Sequence, residues 1–179
     1  LITHDELTTL LHEFGHSLHG MLAEGRYPSL CGTNVARDFV ELPSQIMENW
    51  AFEPEFLDNF AKDYKTGEVI PTELVNKIVR AKNYLSGYYQ VRQLDFGELD
   101  MAWHTLDTMT QDSTLDFEKK ALADYRTLPY VEGTAISTSF NHIFAGGYSA
   151  GYYSYKWAEV LDADAFSVFK KNGIFDKKT

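Results

Sequence analysis

Residues 10–20 read LLHEFGHSLHG, and three of them could do chemistry together. His12 and His16 stand four apart, with Glu13 directly after the first. Residues four apart share one face of a helix. Two imidazoles on one face can hold a metal ion, and the adjoining carboxylate can reach whatever that metal binds. The arrangement matches the zinc-hydrolase pattern H-E-x-x-H, in which the two His ligate and the Glu is the general base. An amphipathic surface helix can also carry two His at this spacing, so the pattern needs support from the rest of the chain.

Catalytic zinc takes three protein ligands and keeps one position open. Glu41, in RDFVELPSQIMENW, is the candidate third ligand. Phe39, Leu42, Ile46 and Trp50 form an apolar stripe, and Glu41 lies beside it. A carboxylate near an apolar face needs a partner, because burying an unpaired charge is costly. A metal ion is one such partner; a surface position or an ordinary ion pair fits the spacing equally. His19, one turn beyond His16, is expected on the surface or in packing. Glu48, two turns after Glu41, reads either as a hydrogen-bond partner for a ligand His or as a solvated carboxylate.

The helix that must carry the pair has its own signals. Thr3 and Glu6 form a capping box ahead of a periodic apolar run. Leu7, Leu10, Leu11, Phe14, Leu18 and Leu22 recur at spacings of three and four, one apolar stripe, and Gly25 offers a stop. Gly15 sits mid-helix at a cost of roughly 1 kcal/mol against Ala, which points to close approach by another backbone or by substrate. Further along, Asp38 reads as an N-cap for a helix through FVELPSQIMENWAF, with Pro43 tolerated early. PEFLDNFAKDYK, ELVNKIVRAKNYLSG (capped by Thr72), a long stretch over 88–109 interrupted by Gly97, and DFEKKALADYRTL all read as helical. A short helix, a break at Gly146 and Gly147 and a long final helix complete the chain. The fold class is all-α, a multi-helix arrangement with at most a short extended segment near residues 29–35.

The chain has 179 residues, 44% apolar and with a formal net charge of −10, so it is globular, and neither its charge nor any basic patch suits nucleic acid. Cys31 is the only cysteine, so no intramolecular disulfide can form, and a cytoplasmic, reducing compartment is the simplest setting, the periplasm being open. No apolar run approaches membrane-spanning length, so no membrane partner is expected. The sequence starts almost on the capping box of its most functional helix, as a piece of a longer protein would. Residues 1–179 then read as one catalytic domain, whose expected partner is a missing N-terminal portion and whose uncovered apolar surface would favour self-association.

LLHEFGHSLHGML, GTNVARDFVELPSQIMENWAF and FNHIFAGGYSAGYYSYKW, in that order, resemble the thimet oligopeptidase family of zinc metallopeptidases over nearly the whole chain. The wording around GTN and RDFVE is closer to the peptidyl-dipeptidase branch than to the oligopeptidase A branch, although CGTN stands where that branch has SGTN. The resemblance implies a zincin-type catalytic part with one Zn²⁺ held by His12, His16 and Glu41, and Glu13 as general base. It also implies that His142, Tyr148 and Tyr155 hydrogen-bond the substrate and stabilise the tetrahedral intermediate. IFAGG, between His142 and Tyr148, is one residue longer than in the mammalian oligopeptidases, a form shared with peptidyl-dipeptidases.

Chemistry agrees with those roles. Glu13 can take the proton of a zinc-activated water and deliver it to the leaving amine. A phenol is a good neutral donor to an oxyanion. Tyr148 and Tyr155, two helical turns apart, face one way if a helix begins near Tyr148, whereas Tyr153 and Trp157 read as aromatic core. Arg37 and Arg92 are cations suited to a peptide's C-terminal carboxylate. The expected activity is hydrolysis of short peptides with release of C-terminal dipeptides. Internal cleavage of short peptides and an inactive helical binding module are the alternatives.

Overall fold

The structure, a computed structural model, describes residues 2–179. Among them no strand forms, and the only β-type pairing is a single antiparallel bridge between Lys62 and Val69. The all-α expectation holds. Residues 28–30 form a 3₁₀ turn and no extended segment follows it. The chain divides into two compact units, Leu1–Tyr84 with Trp157–Thr179, and Leu85–Lys156.

In the first unit, α1 (His4–Met21) opens on the Thr3–Glu6 capping box, with Thr3 Oγ1 accepting the Glu6 N–H and the Glu6 carboxylate accepting the Thr3 N–H. Both exchanges satisfy N–H groups that a helix start leaves unpaired. The buried face is narrower than the sequence stripe. Leu7, Leu11 and Gly15 are buried, while Leu10 and Phe14 are 59% and 47% exposed. On α1 only this i, i+4, i+8 row is buried. Leu22 closes the helix, ahead of Gly25.

Gly15 is buried because a backbone lies against it. A Cβ there would stand 2.6 Å from Ser44 Cα and would collide with the Pro43 carbonyl. That carbonyl belongs to α3 (Leu42–Glu48), which follows α2 (Arg37–Val40). The single helix expected from Asp38 onward is therefore broken at Glu41, with Ala36 rather than Asp38 as N-cap. Pro43 supplies the reason: it has no N–H for the ladder, and its ring opposes the carbonyl four residues back.

The core of this unit joins Leu7, Leu11, Ala51, Leu57 and Val75, flanked by Met47, Phe52, Phe56 and Ile70. His4 Nε2 donates to the Ala51 carbonyl at 2.8 Å, fixing the start of α1. Residues 54–65 hold only one helical turn, α4 (Pro54–Leu57). The Asn59 amide donates to the Glu55 and Phe56 carbonyls, and the Asp63 carboxylate accepts the Lys65 and Thr66 N–H groups. Such local bonds compete with helix continuation. α5 (Thr72–Lys82) follows with Pro71 as N-cap, so Thr72 is its first helical residue rather than its cap. From α8 (Ser154–Asn172), Phe166 and Phe169 pack edge-on against Trp50, with centroids at 4.9 and 5.0 Å.

The second unit is built on α6 (Ser86–His104) and α7 (Thr114–Ala121). α6 continues through Gly97 without a break. Ser113 caps α7 by accepting the Asp116 N–H. Glu118, 1% exposed, pins the loop beyond: its carboxylate accepts Ile136 N–H at 3.0 Å, Ser137 N–H at 2.9 Å and the Ser137 hydroxyl at 2.9 Å. That loop leads into a 3₁₀ turn over Asn141–Ile143 and the glycine pair, with Gly147 at φ +85°.

Candidate metal centre

α1 and α3 together assemble the expected ligand set. His12 and His16 stand on one face of α1, and the break before Pro43 turns Glu41 toward them. The Nε2 atoms of His12 and His16 each lie 3.3 Å from the same carboxylate oxygen, Glu41 Oε2. Glu41 is 2% exposed, and Ser44 donates to that same oxygen at 2.9 Å. The two rings stand nearly perpendicular, 86° apart. Among the described residues these three form the one group of His, Cys, Asp and Glu able to converge on an ion, with ligand atoms within 4.8 Å of one another.

The donor set fits zinc. Tetrahedral sites with bonds of ~2.0–2.1 Å have ligand atoms ~3.3 Å apart along each edge. The two imidazole–carboxylate distances match that edge. Two neutral imidazoles and a carboxylate are ligands zinc accepts, leaving a coordination position for water or substrate.

Glu48 settles how His12 presents itself. Its Oε1 lies 2.7 Å from His12 Nδ1. A carboxylate accepts, so Nδ1 carries the hydrogen and Nε2 faces Glu41. Partners of this kind orient a ligand imidazole and raise its basicity. Hydrogen bonds to Glu41 first and Glu48 second, against the opposing effect of burial, push the His12 pKa up to about 9. The pocket thus stabilises positive charge at the place where a metal ion would replace the proton. The Glu48 role, one of two open from the sequence, is the one the geometry supports.

Glu13 is exposed, adjacent to His12 on α1. His19 stays outside the cluster, its ring edge-on to Phe39 at 6.2 Å. Arg37, the first residue of α2, is exposed one turn before Glu41.

The remaining predicted residues belong to the second unit. His142, Tyr148, Tyr152 and Tyr155 pack their rings together. Tyr148 and Tyr155 are stacked at 5.0 Å and 29°, and the His142 ring lies 6.0 and 6.3 Å from them. The helix begins at Ser154, so Tyr155 is its second residue, and turns over residues 149–153 rather than two helical turns bring the two rings together. Tyr152, not singled out from the sequence, is the buried anchor: its hydroxyl donates to Gln93 Oε1 at 3.1 Å, and burial pushes its pKa up. Tyr153 and Trp157, expected as core, are 54% and 51% exposed, because Tyr152, Ser154 and Ala158 take the inward positions. Arg92 lies over the Phe96 ring at 4.5 Å and lines a cavity of about 490 Å³ with Asp95 and Arg126.

Comparison with known proteins identifies the family. The sequence profile of Peptidase family M3 matches residues 1–179. Oligopeptidase A of Escherichia coli is 47% identical over 184 residues, and that of Haemophilus influenzae 46% over 181, each covering 100% of this chain and 27% of the relative. Dipeptidyl carboxypeptidase of Escherichia coli is 43% identical over 175 residues, covering 97% of this chain and 26% of the relative. The chain spans about a quarter of the length of these curated relatives, and identities of 47% and 43% do not divide the two branches. The profile match over residues 1–179 and the identities of 43–47% show that the chain belongs to peptidase family M3.

Proposed function

We propose that His12, His16 and Glu41 bind one Zn²⁺ per chain, and that the chain carries the catalytic part of a metallopeptidase that hydrolyses short peptides. One observation carries the reading: two imidazole nitrogens, each 3.3 Å from a single buried carboxylate oxygen. Zinc, when bound, supplies Lewis acidity that polarises a peptide carbonyl and makes water more acidic. Glu13 takes the proton from the attacking water and returns it to the leaving amine. Tyr155, Tyr148 and His142 donate hydrogen bonds to the oxyanion, as the family resemblance implies; removing one such donor costs about 10²–10³ in rate. Arg37 meets the substrate's terminal carboxylate, which suits release of C-terminal dipeptides. Internal cleavage of short peptides is the second reading, favoured by the relatives named oligopeptidase A. The lone cysteine suits a cytoplasmic setting.

Zinc stoichiometry and product analysis test this together. One zinc per chain is expected, kept in Glu13→Gln and lost in Glu41→Ala. Glu13→Gln lowers hydrolysis about 10²–10⁴-fold, the usual worth of a general base. An N-terminally blocked peptide yields successive C-terminal dipeptides; internal fragments would select the second reading. A chain that takes up no zinc from excess, or retains it in Glu41→Ala, refutes the metal assignment.

A further inference from the structure

The turn between Tyr148 and Tyr155 is gripped by a carboxylate from another element. Asp100, one turn before the end of α6, is 1% exposed. Its Oδ1 accepts the Ala150 N–H at 2.8 Å, and its Oδ2 accepts those of Gly151 at 2.8 Å and Tyr152 at 2.9 Å. His104 Nδ1 lies 2.8 Å from both Asp100 Oδ1 and the Asp100 carbonyl. Both are acceptors, so Nδ1 carries the hydrogen and donates. Four N–H groups thus use the roughly four acceptor positions of a carboxylate.

The backbone is bent to allow this. Ala150 has φ +52°, a left-handed conformation that L-residues rarely adopt. Successive N–H groups turned to one side form an anion receptor. Here the anion is a side chain of the same unit, and the segment it grips carries the stacked phenols. A neutral amide cannot replace it: Asn offers one acceptor oxygen and turns an NH₂ toward N–H groups that need acceptors.

We propose that Asp100 is the positioning residue of the tyrosine segment, holding residues 150–152 so that Tyr148 and Tyr155 are fixed before substrate arrives. This rests on the reading that those phenols assist hydrolysis. Asp100 touches no substrate; it acts through Tyr155, and its loss is felt in kcat. A misplacement of about 1 Å can cost 10²-fold. Asp100→Asn therefore lowers kcat about 10- to 100-fold, with KM changed less than about twofold and zinc content unchanged.

Two measurements on the full chain decide it. Hydrogen exchange shows the amides of 150–152 protected in the wild type and at least about 10-fold faster in Asp100→Asn; unprotected wild-type amides overturn the proposal whatever the activity. A double-mutant cycle with Tyr155→Phe shows the Asp100→Asn loss in kcat vanishing in the Phe background. Equal fold losses in both backgrounds mean a merely structural role and overturn it. An unchanged kcat in Tyr155→Phe alone instead refutes the catalytic reading of the tyrosine. Should Asp100→Asn not fold, Asp100→Glu runs the same cycle, keeping charge and acceptors but moving them by one methylene.

Discussion

Glu41 in the first unit and Asp100 in the second are 2% and 1% exposed, and their partners differ in kind. Asp100 accepts three backbone N–H groups and an imidazole N–H. Glu118, also in the second unit, accepts two backbone N–H groups and a hydroxyl and faces the Arg126 guanidinium at 3.6 Å. Those donors are fixed by the fold, so both carboxylates are finished structural parts. Glu41 Oε2 meets a hydroxyl and two imidazole nitrogens at 3.3 Å, groups that can exchange a proton for a metal ion. Asp100 spends its acceptors on backbone and one imidazole N–H, whereas one Glu41 oxygen is shared by two converging imidazole nitrogens, the arrangement suited to a cation. Residue type and burial alone do not separate the two.

The largest expected effect breaks the comparison on the metal side. Glu41→Ala removes a ligand and reduces zinc affinity on the order of 10³-fold or more, beyond the 10–100-fold typical of an outer partner. Glu118→Gln leaves zinc content intact and lowers stability by roughly 2–3 kcal/mol, since it unpairs donors in a buried loop. Metal titration and thermal melts on both variants read the contrast. Zinc loss in Glu118→Gln, or full zinc binding in Glu41→Ala, would erase the distinction.

Gly15→Ala probes how the pocket is held closed. Its Cβ would strike the backbone of Pro43 and Ser44, which no rotamer change relieves. A loss of about 3 kcal/mol is expected, near the upper end for overpacking, with zinc affinity falling because α3 carries Glu41. A melt and a zinc titration like the wild type's would show that α1 and α3 do not need this contact.

Glu48→Gln isolates the outer partner. The amide can still accept from His12 Nδ1 but brings no charge. Zinc affinity should fall 10–100-fold, with melting of the zinc-free protein little changed. Unaltered affinity would reduce Glu48 to a surface residue.

Much of the candidate metal centre is legible in the sequence. The capping box and the H-E-x-x-H face rest on local spacing, and local spacing survives folding; Glu41, well beyond His16 in the chain, is singled out as a ligand by the family resemblance, since its spacing fits a surface acid or an ion pair equally. What was hidden depends on partners far along the chain. Gly15 announced a close approach but not that Pro43 and Ser44 make it. The break at Glu41 follows from Pro43, yet a proline so near a helix start reads equally well as tolerated. Leu10 and Phe14 looked like core because a helical stripe fixes a face but not how much of it neighbours cover. Asp100 left almost no mark: apart from His104, its partners are backbone groups 50 to 52 residues away, and backbone N–H groups have no letter in the sequence.

Asp162 offers the smallest and most graded test, because it belongs to neither class. It is partly buried on α8 and receives one amide hydrogen bond, from Asn49 Nδ2. Burial first, then the negative charge of Glu48, raise its pKa to about 6, against the lowering effect of Asn49 and Lys82. In the unfolded chain an Asp releases its proton near ~3.9. Between about pH 4 and pH 6 the folded protein therefore holds more protons than the unfolded one, so this group's contribution falls as pH rises. Below that window both states are protonated and the penalty is absent; above it both are ionised and the penalty is complete. A full shift of two units is worth nearly 3 kcal/mol, and solvent access reduces that to about 1 kcal/mol. Asp162→Asn keeps an oxygen for Asn49 and abolishes the charge. At pH 7.5 it should raise Tm by roughly 2–4 °C over wild type at matched metal content, and the gain should vanish by about pH 4. A gain that persists at low pH, or none at pH 7.5, would show that Asn49 satisfies this carboxylate as fully as backbone satisfies Asp100, and would move Asp162 into the structural class.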